Sequence, residues 1–254
     1  MIKIALAQIS PKLCRDNFEV HESIVKEVKD IVDVVVFPEL SLNGYMLMDS
    51  VYEDAFLLGE LSIFEELSEE VDIVLGGATR EEHKIYNSGL YYSKGQLLNV
   101  HHKNNLPNYG MFQEARFFFK GEGLKSFMTP FGKSMVTVCE DMWSTKIIDE
   151  IAKEKPSFLY VIANSPARGF GDDALEIETK WKRILSTTAI LSGAYVIFVN
   201  RVGFEDGLGF WGGSCVIDPS GTIEKKAKYF EKDVLITTLD HQISYVQKYL
   251  LRSN

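Results

Sequence analysis

Cys139 ends the apolar run SMVTVC (134–139) and is followed at once by Glu140 and Asp141 in VCEDMW. Reactive groups of α/β folds collect where the chain leaves the carboxyl end of a strand. Cysteine is also among the most buried residue types and commonly only packs, so this segment alone leaves both readings open. Glu39 poses the same choice. It follows the apolar run VDVVVF (32–37) and Pro38 in FPELSLNGY, as a carboxylate either solvated at a sheet rim or held in a site. Lys103 ends GQLLNVHHK (95–103), and Glu114 and Arg116 follow among aromatics in the loop. A lysine and a glutamate in a loop normally form a solvated ion pair worth little. Together, however, the three strand ends supply a base, a cation and a thiol. A free thiol of pKa about 8.5 is only a few per cent thiolate at neutral pH. A carboxylate can take its proton, and an ammonium can stabilise both the thiolate and a developing oxyanion.

These groups need elements to hold them. Short β-branched runs alternate with helical patterns along the chain. Strands are expected at 2–9, 32–37, 72–79, 85–93, 95–103, 134–139, 157–163, 194–200, 212–219, 222–226 and 233–240. Several are continuous apolar runs, the pattern of strands covered on both faces. Lys94-Gly95 is a hairpin-turn candidate. In Asp218-Pro219-Ser220-Gly221 proline sets φ and glycine accepts a left-handed residue. Asp16 with Glu19 resembles a capping box opening a helix with Ile24, Val28, Ile31 and Val32. Further helices are expected over 52–70, after Cys139 to about Lys155, over 173–192 with Ile177, Trp181, Ile184, Leu185 and Thr188 on one side, and at the C-terminus. His101 and His102 are adjacent, so on a strand they point to opposite faces. They read as structural or solvated, not as a metal pair. No linker, low-complexity tract or repeat is visible, so residues 1–254 read as one domain of layered α/β structure with a mixed sheet. Periodicity leaves open whether there is one sheet or two.

Composition narrows the function. The chain has 254 residues, enough to bury a core without disulfides or metal. Its 27 Lys and Arg against 36 Asp and Glu leave a formal charge of −9, which argues against nucleic-acid binding because no excess of cations exists to release counterions. Cys14, Cys139 and Cys215 are odd in number and far apart, which suits a reducing compartment, and no CxxC pair suggests zinc. MIKIALAQIS shows no signal-peptide pattern. The uncharged run 184–200 is shorter than a membrane span of about 20 residues. A soluble, cytoplasmic protein without a membrane partner is expected.

FPELSLNGY, HKNNLPNYGMFQE and VCEDMW resemble the Glu, Lys and Cys motifs of the nitrilase superfamily, the carbon-nitrogen hydrolases. The order and strand context agree, and the resemblance runs from KIALAQIS to the last strand. It implies a four-layer α-β-β-α sandwich. It also implies Glu39 as general base, Lys103 as oxyanion-stabilising cation and Cys139 as nucleophile. Glu114 matches the second glutamate, which orients the lysine and borders the substrate, and the Glu140 N–H would be a second oxyanion donor. Within the superfamily, CED-x-W and LPNY-x-x-F-x-E are most similar to the glutaminase domain of glutamine-dependent NAD synthetases. Tyr45, Tyr109 and Ser165 would then line the pocket. The basic residue usual six positions after that serine is replaced by Gly171, with Arg168 nearby as its proposed substitute. The synthetase domain is absent from this sequence, so a free-standing hydrolase is expected.

The expected reaction is thiol-dependent hydrolysis of a small, linear carboxamide, glutamine among the candidates, through a thioester and without metal or organic cofactor. Two rivals remain. One is a non-catalytic or ammonia-donating subunit bound to a synthetase. The other is a redox-sensing thiol, against which stands the lack of a resolving cysteine close in the chain to Cys139. A two-fold homodimer is expected from the resemblance, and from Trp143, Phe117, Phe118 and Phe119 as more aromatics than one loop region should bury.

Overall fold

The computed structural model describes residues 1–13, 15, 17–171 and 175–251. Fourteen strands are present among them: β1 (Ile2–Gln8), β2 (Val34–Val36), β3 (Asp72–Glu81), β4 (Lys84–Ser93), β5 (Gln96–His102), β6 (Phe127–Thr129), β7 (Gly132–Val138), β8 (Phe158–Ala163), β9 (Tyr195–Asn200), β10 (Val202–Glu205), β11 (Leu208–Trp211), β12 (Cys215–Ile217), β13 (Ile223–Lys226) and β14 (Asp233–Leu239). The α-helices are α1 (Phe18–Val28), α2 (Val51–Asp54), α3 (Ile63–Leu67), α4 (Glu114–Phe117), α5 (Thr145–Glu154), α6 (Glu176–Ser192) and α7 (His241–Leu250).

The question periodicity left open is answered by two six-stranded mixed sheets, ordered β14-β1-β2-β3-β4-β5 and β13-β12-β9-β8-β7-β6. Strand parity explains their stacking. In β8, Phe158, Tyr160 and Ile162 pack into a core shared with Ile4, Leu6, Val34, Val36 and Val74 of the other sheet. The alternate residues Leu159, Val161 and Ala163 face Ile147 and Ile151 of α5 and Trp181, Leu185 and Ala189 of α6. On the far side, Ala5, Val35, Ile73 and Leu75 meet Val25 and Val28 of α1 and Phe64 of α3. The layers are therefore helix, sheet, sheet, helix, and strands covered on both faces must be apolar at every position.

Several expectations shift. The helix expected over 52–70 is broken into α2, a 3₁₀ turn at Leu58–Leu61 and α3. The cause is Phe56, whose N–H donates to Ala78 O and whose carbonyl accepts from Arg80 N, so that the chain runs extended along β3. The helix after Cys139 is likewise a 3₁₀ turn (Cys139–Trp143) followed by α5. Asp16, the expected cap, lies outside the described residues, as do Cys14 and Asp173. The β10–β11 hairpin was not anticipated, although Asp206-Gly207, both at positive φ, is the turn signal that announces one. The Lys94-Gly95 turn forms as expected, with φ of 50° and 73°. Among the described residues, no helix is long and apolar enough to cross a membrane.

Candidate active site

Four strand ends meet at one rim of the sandwich. Glu39 follows β2 and Lys103 follows β5 in one sheet. Cys139 follows β7 and Asn164 follows β8 in the other. The Glu39 turn lies against β3 so closely that a Cβ on Gly76 would stand 2.5 Å from Leu40 N and 2.7 Å from Glu39 Cα. Leu40 and Cys139 both take left-handed backbone, each at φ 45°, uncommon for residues with side chains and typical of strained functional turns.

Lys103 is wholly buried. Its Nζ donates to Glu39 Oε1 at 2.7 Å and to Glu114 Oε1 at 2.8 Å, and it lies 2.8 Å from Glu114 Oε2, where only the ion-pair distance is met. Glu39, also fully buried, accepts two further hydrogen bonds: Asn87 Nδ2 to Oε1 and Asn164 N to Oε2, both at 2.7 Å. Tyr45 Oη donates to Glu114 Oε1 at 2.6 Å. Burial works against the charge on Lys103, but Glu114, Glu39 and Cys139 outweigh it and hold the ammonium well above its usual pKa. Burial raises the Glu114 carboxyl, with Lys103 opposing. Burial and then Glu39 push the Cys139 thiol well above its ordinary range. The resting state is therefore a neutral thiol beside a protonated lysine, so nucleophilic attack requires a base.

Asp141 joins the two sheets at this rim. Its Oδ1 accepts from Asn104 N and Asn105 N at 2.9 and 3.0 Å, and its Oδ2 accepts from Val138 N at 3.1 Å and pairs with His101 Nε2 at 2.8 Å. The residues flanking Lys103 are thus tied to the turn that carries Cys139. His101 is structural, as expected, while His102 stacks on Tyr86 and bonds Ser88 and Glu81. Among the described residues, no group of three or more His, Cys, Asp or Glu could hold a metal ion.

Cys139 and Glu114 open onto a cavity of about 310 Å³, small for a ligand site. Tyr45, Tyr109, Glu140, Ser165 and Arg168 all line it, so every expected pocket residue is brought to one place. Tyr109 Oη donates to Glu140 Oε1 at 2.9 Å. The Ser165 hydroxyl accepts from Trp181 Nε1 at 2.9 Å, its N–H donates to Asn200 Oδ1, and Arg168 lies over the Phe112 ring. The sequence reading missed Asn87, Asp141, Asn164, and the Glu176–Lys180 pair at the cavity, whose atoms stand 2.6 Å apart. Only Asn164 had a local signal, a polar residue directly after an apolar strand. Phe118 is buried in the chain's own core, whereas Trp143, edge-on against Trp181, and Phe119 remain exposed.

The family described as carbon-nitrogen hydrolase matches residues 3–248. A glutamine-dependent NAD(+) synthetase of Acinetobacter baylyi is 30% identical over 247 residues, covering 94% of this chain and 44% of that protein. A solved glutamine-dependent NAD+ synthetase of Acinetobacter baumannii superposes with a TM-score of 0.82 at 29% identity, over 96% of this chain and 46% of that one. The chain thus spans less than half the length of these synthetases. A carbon-nitrogen hydrolase from Helicobacter pylori shares the fold, with a TM-score of 0.87 at 21% identity over 98% and 92% of the two chains.

Proposed function

The chain belongs to the carbon-nitrogen hydrolase family, and from that premise we propose that it is a thiol-dependent amidase using Cys139, Glu39 and Lys103. One observation carries the reading. An ammonium has three N–H donors, and Lys103 places two of them on Glu39 and Glu114. The third is left for a developing oxyanion beside Cys139. Glu39 takes the thiol proton as Sγ bonds to the amide carbon. Lys103 and the Glu140 N–H bind the oxyanion. The C–N bond then breaks with its electron pair going to nitrogen, which receives the proton from Glu39. Water, deprotonated by the same carboxylate, adds to the thioester, and the acid leaves as the thiol regains its proton. Glu114 and Tyr45 hold Lys103 in place through the shared carboxylate. The scheme uses a carboxylate and an ammonium for the acid–base and electrostatic work and calls on no metal or organic cofactor.

The substrate we propose is a small polar carboxamide such as glutamine. The cavity size and the names of the synthetase relatives support it. Arg168 is the group proposed to pair an α-carboxylate, since a buried unpaired charge is costly. A panel of glutamine, asparagine, ω-amides, carbamoyl amines and nitriles, scored by ammonia release, tests the class. Intact-mass spectrometry during turnover tests the site. The expected result is an acyl adduct on Cys139, and an adduct on another cysteine overturns the assignment.

The relatives' names also favour a second reading, an ammonia-donating subunit of a synthetase partner. Co-purification with an ATP-dependent synthetase, with faster ammonia release in its presence, would select it. We also propose a two-fold homodimer; light scattering showing a monomer of about 29 kDa at micromolar concentration rejects it.

A further inference from the structure

Asn164 is a polar side chain with nothing to bond. It is 1% exposed, yet neither its Nδ2 nor its Oδ1 has a hydrogen-bond partner among the described residues. Buried amides are nearly always paired, and an orphaned one calls for an explanation. Its location supplies one. Asn164 lines the cavity together with Cys139 and Glu140. Its backbone N–H donates to Glu39 Oε2 at 2.7 Å, and a backbone hydrogen bond from it favours the charged form of Cys139. The Asn164 backbone therefore lies between base and nucleophile. Its short side chain cannot reach far from the reacting atoms.

The geometry points to Asn164 as the residue that selects carboxamides over esters, its Oδ1 accepting an N–H of the scissile amide. The inference rests on the amidase reading and extends it to the leaving group. In that reading the substrate carbonyl is taken by Lys103 and the Glu140 N–H. The scissile NH₂ then presents two N–H donors, more than Glu39 alone must receive. An ester has the same carbonyl and no N–H at all. When the tetrahedral intermediate collapses, the C–N electron pair goes to nitrogen and Glu39 delivers the proton. Asn164 stays neutral throughout and holds the nitrogen lone pair toward Glu39.

The test compares kcat/KM for an amide and the methyl ester of the same acyl group. L-Glutamine is paired with L-glutamate γ-methyl ester, and butyramide with methyl butyrate. Each pair passes through one thioester, so deacylation cancels, and a ratio taken within one preparation is insensitive to the folded fraction. Asn164→Ala should lower the amide-to-ester ratio by about 10–100-fold. Asn164→Asp keeps an acceptor and should slow both substrates while holding the ratio within a few-fold of wild type. Parallel losses on amide and ester in Asn164→Ala, or an unchanged ratio, overturn the inference and leave the amidase reading standing. A wild-type enzyme that releases ammonia from neither amide overturns the small-carboxamide reading, and the inference falls with it.

Discussion

Lys103 and Arg201 are both cations with no exposed side-chain surface, and both lie 2.7 Å from a glutamate oxygen. Arg201 is held from several sides, with Nε donating to Val202 O at 3.4 Å. Nη1 donates to Glu205 Oε2, Nη2 donates to Pro11 O at 3.1 Å, and the guanidinium lies over the Phe210 ring. Glu205 spends its other oxygen on Tyr45 N and Met46 N, fixing the loop after the Glu39 turn. Lys103 donates to Glu39 and Glu114 only, and Glu114 borders the cavity that Cys139 also lines. The rigid fork of arginine suits a closed structural clamp, and the compact ammonium of lysine suits a site where a charge must form and vanish. Burial and pairing are common to both clusters. A thiol and an open volume beside the carboxylates distinguish the Lys103 cluster from the Arg201 clamp.

The largest expected effect tests the nucleophile itself. Cys139→Ala should lose on the order of 10⁶ in kcat. Cys215→Ala should leave kcat nearly intact, because that thiol is buried in the core between sheet and helices. Ammonia release by both variants measures this, and full activity in Cys139→Ala ends the reading. Glu39→Gln, which preserves shape and removes the base, should also lose orders of magnitude in kcat while staying folded.

Exchanging the two cations for methionine breaks the comparison most directly. Lys103→Met should remain folded and lose about 10²–10³ or more in kcat with the oxyanion donor. Arg201→Met should lose about 3–5 kcal/mol of stability by stranding Glu205, while its folded fraction keeps kcat within a few-fold. Denaturant melts and kinetics on the same samples decide. Near-normal kcat in Lys103→Met would return that lysine to a structural role.

A third probe addresses the packing behind Glu39. His21 on α1 pairs with Asn17 O through Nδ1 at 2.7 Å and with Ser41 Oγ through Nε2 at 2.9 Å. Burial pulls its pKa down to about 4, against the opposing pull of the Asn17 carbonyl. The unfolded ring takes up its proton near 6.5, so between these values the unfolded state binds more protons. Stability should therefore fall as pH drops from about 6.5 toward 4, by on the order of 3 kcal/mol. Thermal melts at pH 7 and pH 4.5 should show a smaller drop for His21→Gln than for wild type. Equal drops would dismiss His21 as the cause.

The smallest effect concerns the cavity mouth. Arg168 is exposed, so Arg168→Ala should raise KM for glutamine about ten-fold and change kcat less, the pattern of lost uniform binding. An unchanged KM would remove Arg168 from the pocket's recognition surface.

Local pattern placed Glu39, Lys103 and Cys139 at strand ends, and the family motifs supplied the roles expected of them. Glu39 and Cys139 each follow a run whose β-branched, apolar composition makes it a doubly covered strand, and a polar residue at such an end is conspicuous, whereas Lys103 ends the half-exposed edge strand β5. The hairpin at Lys94-Gly95 is local for the same reason, since a two-residue turn depends on its own backbone preferences. The broken segment 52–70 was not legible, because the pairing of Phe56 with β3 overrides a helical pattern through partners more than twenty residues away. The Asp141 tether, the Asn87 and Asn164 bonds to Glu39, and the Trp181 bond to Ser165 join positions separated by 16 to 125 residues. By itself the sequence determined which side chains could react and that each would stand at a strand end. Only the tertiary structure decided that those ends share one rim, which carboxylates hold the ammonium, and which buried amide is left without a partner among the described residues. These depend on register and stacking between two sheets, and hydrogen-bond partners separated by so much chain leave no periodic trace in it.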